Sequence, residues 1–286
     1  MYIQIITIIA PVFILAAVGY TWARLNYEYP ADFIARIVMN IGAPCLIVSA
    51  MTQAEISPAA LFEVVVAALT ILFSMLALGY ILVRWLGLRV PVYLPPLLFP
   101  NNGNMGLSLC MFTFGDAGLA LGLGIFMTMT VCQFTLGILL TAESRSDIRG
   151  RLLELARQPI VYAAVFAVLC LVRGYHLPQW AANTVSLMGG ITIPLMLVTL
   201  GVSLAGLSIV NFPRALLFSC IRLLGGFLLA LAVVHFYEID GAMRGVVLIQ
   251  ASMPVAVFNY LLAVRYGQSP TETAGMVIIS TLISFI

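Results

Sequence analysis

The sequence predicts an all-α polytopic membrane protein of ten transmembrane helices, built as two inverted five-helix repeats with crossed broken helices in spans four and nine. Three observations predict it. Of 286 residues, 63% are hydrophobic and 8% charged, with mean hydropathy +1.12; a soluble domain carries roughly a quarter charged residues. The apolar residues fall into ten runs parted by polar turns, at about 20 residues per bilayer crossing. The two halves of the chain also carry the same proline and glycine signatures in the same order.

Taken in order, the first span covers about residues 3–23, the second 34–51 and the third 59–83. The fourth is the interrupted stretch 94–116, and the fifth runs over 118–140. Residues 142–158 form the one long polar segment and read as a loop. The sixth span begins near Pro159, the seventh near Val185 and the eighth near Ala215. The ninth covers 243–264, and the tenth starts at Ala274. That last run reaches Ile286 after about 13 apolar residues, short of a crossing, so the natural chain is expected to continue. The first run has no basic leader and is long enough to stay as a span, so no cleavable signal peptide is expected.

Charge placement gives the orientation. All 13 basic residues are Arg. With the N-terminus outside, the inner side holds Arg24, Arg36, Arg84, Arg89, Arg145, Arg149, Arg151, Arg157, Arg214 and Arg265, and the outer side only Arg173 and Arg244. The positive-inside rule therefore puts both termini outside a cytoplasmic membrane. The formal charge of +2 implies no nucleic-acid partner. Cys45, Cys110, Cys132, Cys170 and Cys220 each stand alone in an apolar run, which argues against disulfides and metal sites.

The repeats are expected to divide at residue 148. Residues 1–148 hold spans one to five with most of the central loop, and 149–286 hold spans six to ten. Pro11 and Pro159 open matching spans, Pro44 matches Pro194, and residues 114–116 (FGD) match 266–268 (YGQ), at offsets of 148, 150 and 152. Five spans per repeat is an odd number, so the second repeat inserts upside down, as in secondary carriers. The same register sets Pro254 opposite Asn102 and breaks span nine at the depth of span four.

Span four reads LPPLLFPNNGNMGLSLCMFTFGD. Pro100 lacks a backbone donor, Gly103 and Gly106 relax the chain, and Asn101, Asn102 and Asn104 bring amides where lipid offers no partner. Irregular backbone at that depth survives only against protein or a watery cavity. The second half-helix is expected to start near Asn104, its free N–H groups facing an anion while freed carbonyls and Asn side chains hold a cation. The bland alternative is a proline kink whose asparagines bond across helices. In span nine, Gln250, Ser252 and Asn259 surround Pro254; Ser and a single Pro are common in membrane helices, so the match with span four carries the functional reading. The candidate substrate-binding residues are Asn101, Asn102, Asn104, Pro254 and Asn259, with Pro100, Gly103, Gly106, Ser252 and Pro254 forming the breaks.

Other candidates are weaker. Arg222 is the one basic residue well within a span, about 12 Å beyond Arg214 at the helical rise. It is a candidate partner for a substrate carboxylate, or a side chain that pairs with carbonyls to steady packing. Glu63, Asp116, His176 and His235 read as span ends, and Pro44 and Pro194 as wall kinks. No enzyme is expected: Ser108 has no mid-span His as its base, and Asp116 has no second intramembrane Asp.

These residues together resemble the auxin efflux carrier family, in particular its short organic-acid permeases from bacteria, over the whole chain. The resemblance rests on PNNGNMG, SMPVAVF, the PCLIVS and PLMLVTLGVSL pair, and the short central loop. It implies the fold of the bile-acid sodium symporters: spans three to five and eight to ten form a mobile transport domain, and spans one, two, six and seven a scaffold that dimerises. It also implies elevator-like movement. Plant members bind the substrate carboxylate at an Asn-Pro-Asn element, whereas the order here is Pro-Asn-Asn-Gly-Asn. The short loop implies a bacterial inner membrane. The expected function is secondary transport of a small organic anion, a mono- or dicarboxylate, with a cation antiporter or a non-transporting ligand sensor as alternatives. No cofactor is expected beyond a coupling Na+ or H+. Because the chain has few positive groups at mid-depth, a co-bound cation is expected to balance the substrate, and Arg222→Gln to leave affinity within about tenfold.

Overall fold

The computed structural model describes residues 2–53, 56–141 and 157–284, which contain helices and no strand. Three of the inner Arg residues, Arg145, Arg149 and Arg151, lie outside the described residues.

The first helices follow the apolar runs. Helix α1 (Tyr2–Arg24) is continuous through Pro11. Helix α2 (Ala31–Ile37) passes through a π-helical turn, Val38–Gly42, into α3 (Ala43–Gln53). Helix α4 (Pro58–Trp85) starts where Ser57 caps the Ala60 N–H at 3.1 Å and Pro58 supplies a preset φ. Helix α5 (Val90–Leu98) stops at the extended Phe99. The chain resumes as a π-helical turn, Asn102–Gly106, and continues as α6 (Leu107–Cys132), a further π turn Gln133–Gly137 and α7 (Ile138–Thr141).

Helix α6 is two helices, because Gly115 adopts φ 63 and ψ −151 and reverses the chain. A Cβ at Gly122 would lie 3.4 Å from the Cys110 side chain, whereas 12 residues of straight helix would part them by about 18 Å. Only glycine visits that backbone region without strain.

The second half opens with α8 (Pro159–Arg173), closed by Gly174 in the left-handed conformation. Helices α9 (Gln179–Gly190) and α10 (Thr192–Gly206) follow, then α11 (Phe212–Phe236), whose N-terminus is capped by Asn211. Helix α12 (Gly241–Ala251) ends at Ser252, and α13 (Val257–Tyr266) and α14 (Pro270–Ile283) complete the described chain.

Several boundaries moved; the fourth span, for instance, begins at Val90 rather than Leu94. The seventh apolar segment begins at Gln179 rather than near Val185, and the tenth at Pro270 rather than Ala274. Pro270 stands at the first helical position, where its fixed φ suits a helix start, and Pro178 is the extended cap just before Gln179. The turn after the first break begins at Asn102, two residues before the expected Asn104.

Among the described residues, five helical stretches are long and apolar enough to cross a membrane: Ala31–Gln53, Pro58–Trp85, Asn102–Thr141, Gln179–Gly206 and Phe212–Phe236. They turn large apolar side chains outward, among them Phe62 (69% exposed), Ile81 (64%) and Leu187 (76%), as an integral membrane protein in lipid requires. Helix α1 lies along α10, while α8 and α9 lie on α3. The α1–α10 approach is close because a Cβ at Gly201 would sit 2.7 Å from the Tyr20 backbone nitrogen. Helices α4, α12 and α14 surround α11, and α12 packs on α6. A smaller apolar cluster, including Tyr93, Leu97, Phe218, Val255 and Met276, fills the space between α5, α11 and α14.

Candidate functional site: two helix breaks that bond each other

The two interruptions meet. Pro100 and Val255 form an isolated antiparallel bridge, in which Asn101 N donates to Pro254 O at 2.7 Å and Ala256 N to Phe99 O at 3.2 Å. Each break thereby satisfies backbone groups that a helix would otherwise have bonded internally. Ser280 of α14 accepts from Val255 N at 3.0 Å and steadies the strand-like segment from behind.

The asparagines differ in role. Asn259 braces the crossing: its Nδ2 donates to Phe99 O at 2.9 Å and Ala256 O at 3.2 Å, and its Oδ1 accepts from Gln133 Nε2 at 3.5 Å. Asn101 and Asn102 are buried, yet Asn101 Nδ2 and both polar atoms of the Asn102 side chain have no partner among the described residues. Asn104 is half-buried, and its carbonyl accepts from Ser108 Oγ at 3.1 Å. Between them Gly103 abuts α10 and α6, since a Cβ there would lie 2.9 Å from both Met196 Cε and Phe126 Cε2. The break therefore presents one side to α10 and another to the interior.

The interior side is a small cavity of about 10 Å³, lined by Pro100, Asn102, Arg222, Gln250 and apolar residues of α4, α6 and α12. It has about the room of one water. Gln250 is 1% exposed, with the Cys110 thiol beside it and no hydrogen-bond partner for either amide atom among the described residues. It fits there because Gly106 and Gly122 have no side chains; a Cβ would lie 2.9 Å from Gln250 Cδ at Gly106 and 3.1 Å from its Nε2 at Gly122. Arg222, 1% exposed, points its guanidinium at carbonyls, with Nη1 on Leu97 O at 2.5 Å, Nε on Met253 O at 3.4 Å and Nη2 on Ala251 O. Of the two readings open for Arg222, the carbonyl pairing is the arrangement seen.

The remaining candidates lie elsewhere. Ser252 Oγ donates to Leu248 O at 2.7 Å, an ordinary helix back-bond. Glu63, Asp116, His176 and His235 are exposed. A roomier cleft of about 470 Å³ between α3, α8 and α9 includes Gln53 and His176, but none of the unpartnered buried polar atoms line it. Gln133 and Ser280 were missed because small polar residues such as their neighbours Thr130, Thr135 and Thr281 are common in apolar helices, and no motif sets either position apart.

Residues 148–286 match the family of membrane transport proteins. The chain is 25% identical over 297 residues to an uncharacterized transporter of Methanothermobacter thermautotrophicus, covering 96% of this chain and 93% of that protein. It is 24% identical over 202 residues to an uncharacterized transporter of Methanocaldococcus jannaschii, covering 65% of this chain and 62% of that one. The second half of the chain is thus similar to the membrane transport protein family, that of the auxin efflux carriers, and with transporter relatives matching up to 96% of its length the chain is an integral membrane transporter.

Proposed function

We propose that this protein is a secondary active transporter of small organic anions, mono- or dicarboxylates, working by elevator-type alternating access at the two breaks. The observation that carries the reading is the pairing of the breaks through Asn101, Pro254, Phe99 and Ala256, beside buried amides left without partners. Leaving such a group unsatisfied costs about 1–3 kcal/mol, a cost a carrier accepts where a ligand or water completes the set. The second half-helices, starting at Asn102 and Val257, bring unpaired N–H groups and about half a positive charge each to the crossing. The substrate's place in this reading is the face of the break where Gly103 meets Met196 and Phe126, next to the half-buried Asn104.

The packing supports a ten-span plan of two inverted repeats, residues 1–148 and 149–286. The first helix of each half lies against a helix of the other: α1 on α10, α8 on α3. Helices α4–α7 and α11–α14 form the moving part, and α1–α3 and α8–α10 a dimeric scaffold in a cytoplasmic membrane with both termini outside.

The test is uptake of radiolabelled carboxylates into proteoliposomes, with sodium and proton gradients imposed separately. Saturable uptake that is lost in Asn104→Ala is the expected result. Binding of carboxylates without flux would instead make this a sensor, and flux of cations alone an antiporter.

A further inference from the structure

The ends of α5 and α12 create an electrostatic problem that the substrate face does not solve. Both helices, of nine and eleven residues, stop at the crossing with their C-termini inward. The last carbonyls of a helix lack intrahelical partners and carry about half a negative charge. Two such ends bring about one full negative charge to a place without bulk water. Carriers with broken helices meet this charge with a coupling cation held by the freed carbonyls.

Here three of those carbonyls, from both helix ends, are already taken by one side chain. Arg222 reaches Leu97 at the end of α5, and Ala251 and Met253 at the end of α12. Its single positive charge equals the sum of the two half charges. Helix α11 is shaped to deliver it. One turn on, Gly226 has no side chain where a Cβ would lie 2.7 Å from Arg222 Nη2 and 3.2 Å from the Ala251 carbonyl carbon. One turn back, Ser219 Oγ donates to Met276 O at 3.2 Å and ties α11 to α14.

We infer that Arg222 is a built-in counter-cation: it fills the carbonyl set that an exchangeable metal ion would need, so the crossing assembles without one. This departs from the co-bound cation expected on sequence grounds. It also makes Arg222 a positioning residue, since the adjoining cavity of about 10 Å³ admits about one water and no carboxylate. Its significance for coupling rests on the transporter reading above. The test itself uses no substrate, so its failure and that of the transport reading are separable.

The experiment is a thermal unfolding series on the full chain in detergent, at constant ionic strength with choline, sodium or potassium chloride, and with millimolar guanidinium. The wild type should unfold at the same temperature in all of them. Arg222→Ala should unfold several degrees lower in choline and recover most of that loss with guanidinium or an alkali cation, which would occupy the vacated carbonyls. Saturable stabilisation of the wild type by sodium or potassium would overturn the inference. So would an Arg222→Ala protein as stable as wild type, or one that no cation restores. Should Arg222→Ala fail to fold, Arg222→Lys and Arg222→Gln decide. A lysine variant that is ion-indifferent and more stable than the glutamine variant supports the charge role, and equal loss in both refutes it.

Discussion

Replacing Gly106 by Ala tests how the site is assembled, because its effect should reverse sign with the residue at 250. Gly106 has φ −61 and ψ −45, ordinary helical angles, so Ala alone should gain about 0.5–1 kcal/mol over Gly in a helix. The space forbids it. The new Cβ would overlap Gln250 Oε1 and lie 2.9 Å from its Cδ, where an unstrained contact needs about 3.4 Å or more. Gln250 cannot retreat freely: it is 1% exposed and held on its other side by Gly122, where a Cβ would come within 3.1 Å of its Nε2. Overpacking of this kind costs about 1–3 kcal/mol. Gly106→Ala should therefore destabilise the wild type by about 1–2 kcal/mol after the helix gain is subtracted. In a Gln250→Ala background the obstruction is gone, and the same change should stabilise by about 0.5–1 kcal/mol. The coupling of about 2 kcal/mol is well above the few tenths expected of independent sites. Equilibrium unfolding in mixed micelles, followed by tryptophan fluorescence, measures all four corners of the cycle. An effect of equal size and sign in both backgrounds would refute the packing of α12 against the break.

Further outcomes follow from the same geometry. Asn259→Ala should lose about 1–2 kcal/mol of stability through its two carbonyl bonds, whereas Asn104→Ala should cost under about 0.5 kcal/mol yet weaken carboxylate binding at least tenfold; unfolding curves and isothermal titration separate the two. Gly201→Ala should lower the unfolding temperature by several degrees because its Cβ meets the α1 backbone, while Gly206→Ala, with open space at the Cβ, serves as a control that leaves it unchanged. A cysteine at Gln53 should react with an impermeant thiol reagent added outside cells, and the reverse labelling would overturn the orientation.

The amino-acid sequence by itself determined the membrane class, the helices and the positions of both interruptions. Each of these follows from local chemistry: a run of apolar residues must hide its backbone bonds in a helix, and Pro100 or Pro254 among amides and glycines cannot continue one. The order of matching signatures also singled out the two breaks as counterparts. Tertiary structure decided what the local pattern left open. Asn101, Asn102, Asn104 and Asn259 are alike in sequence terms, yet Asn259 braces the crossing while Asn102 faces a cavity beside Arg222. Arg222 read equally well as a ligand group or a packing group. Its role depends on Leu97 and Ala251, 125 and 29 residues away, and no spacing rule links a side chain to carbonyls at such separations. The same holds for Gly106 and Gly226, whose need for hydrogen in place of a methyl arises from Gln250 and Arg222 pressing against them. A sequence specifies which backbone groups lose their helix partners; only the packed chain determines which side chain reaches them.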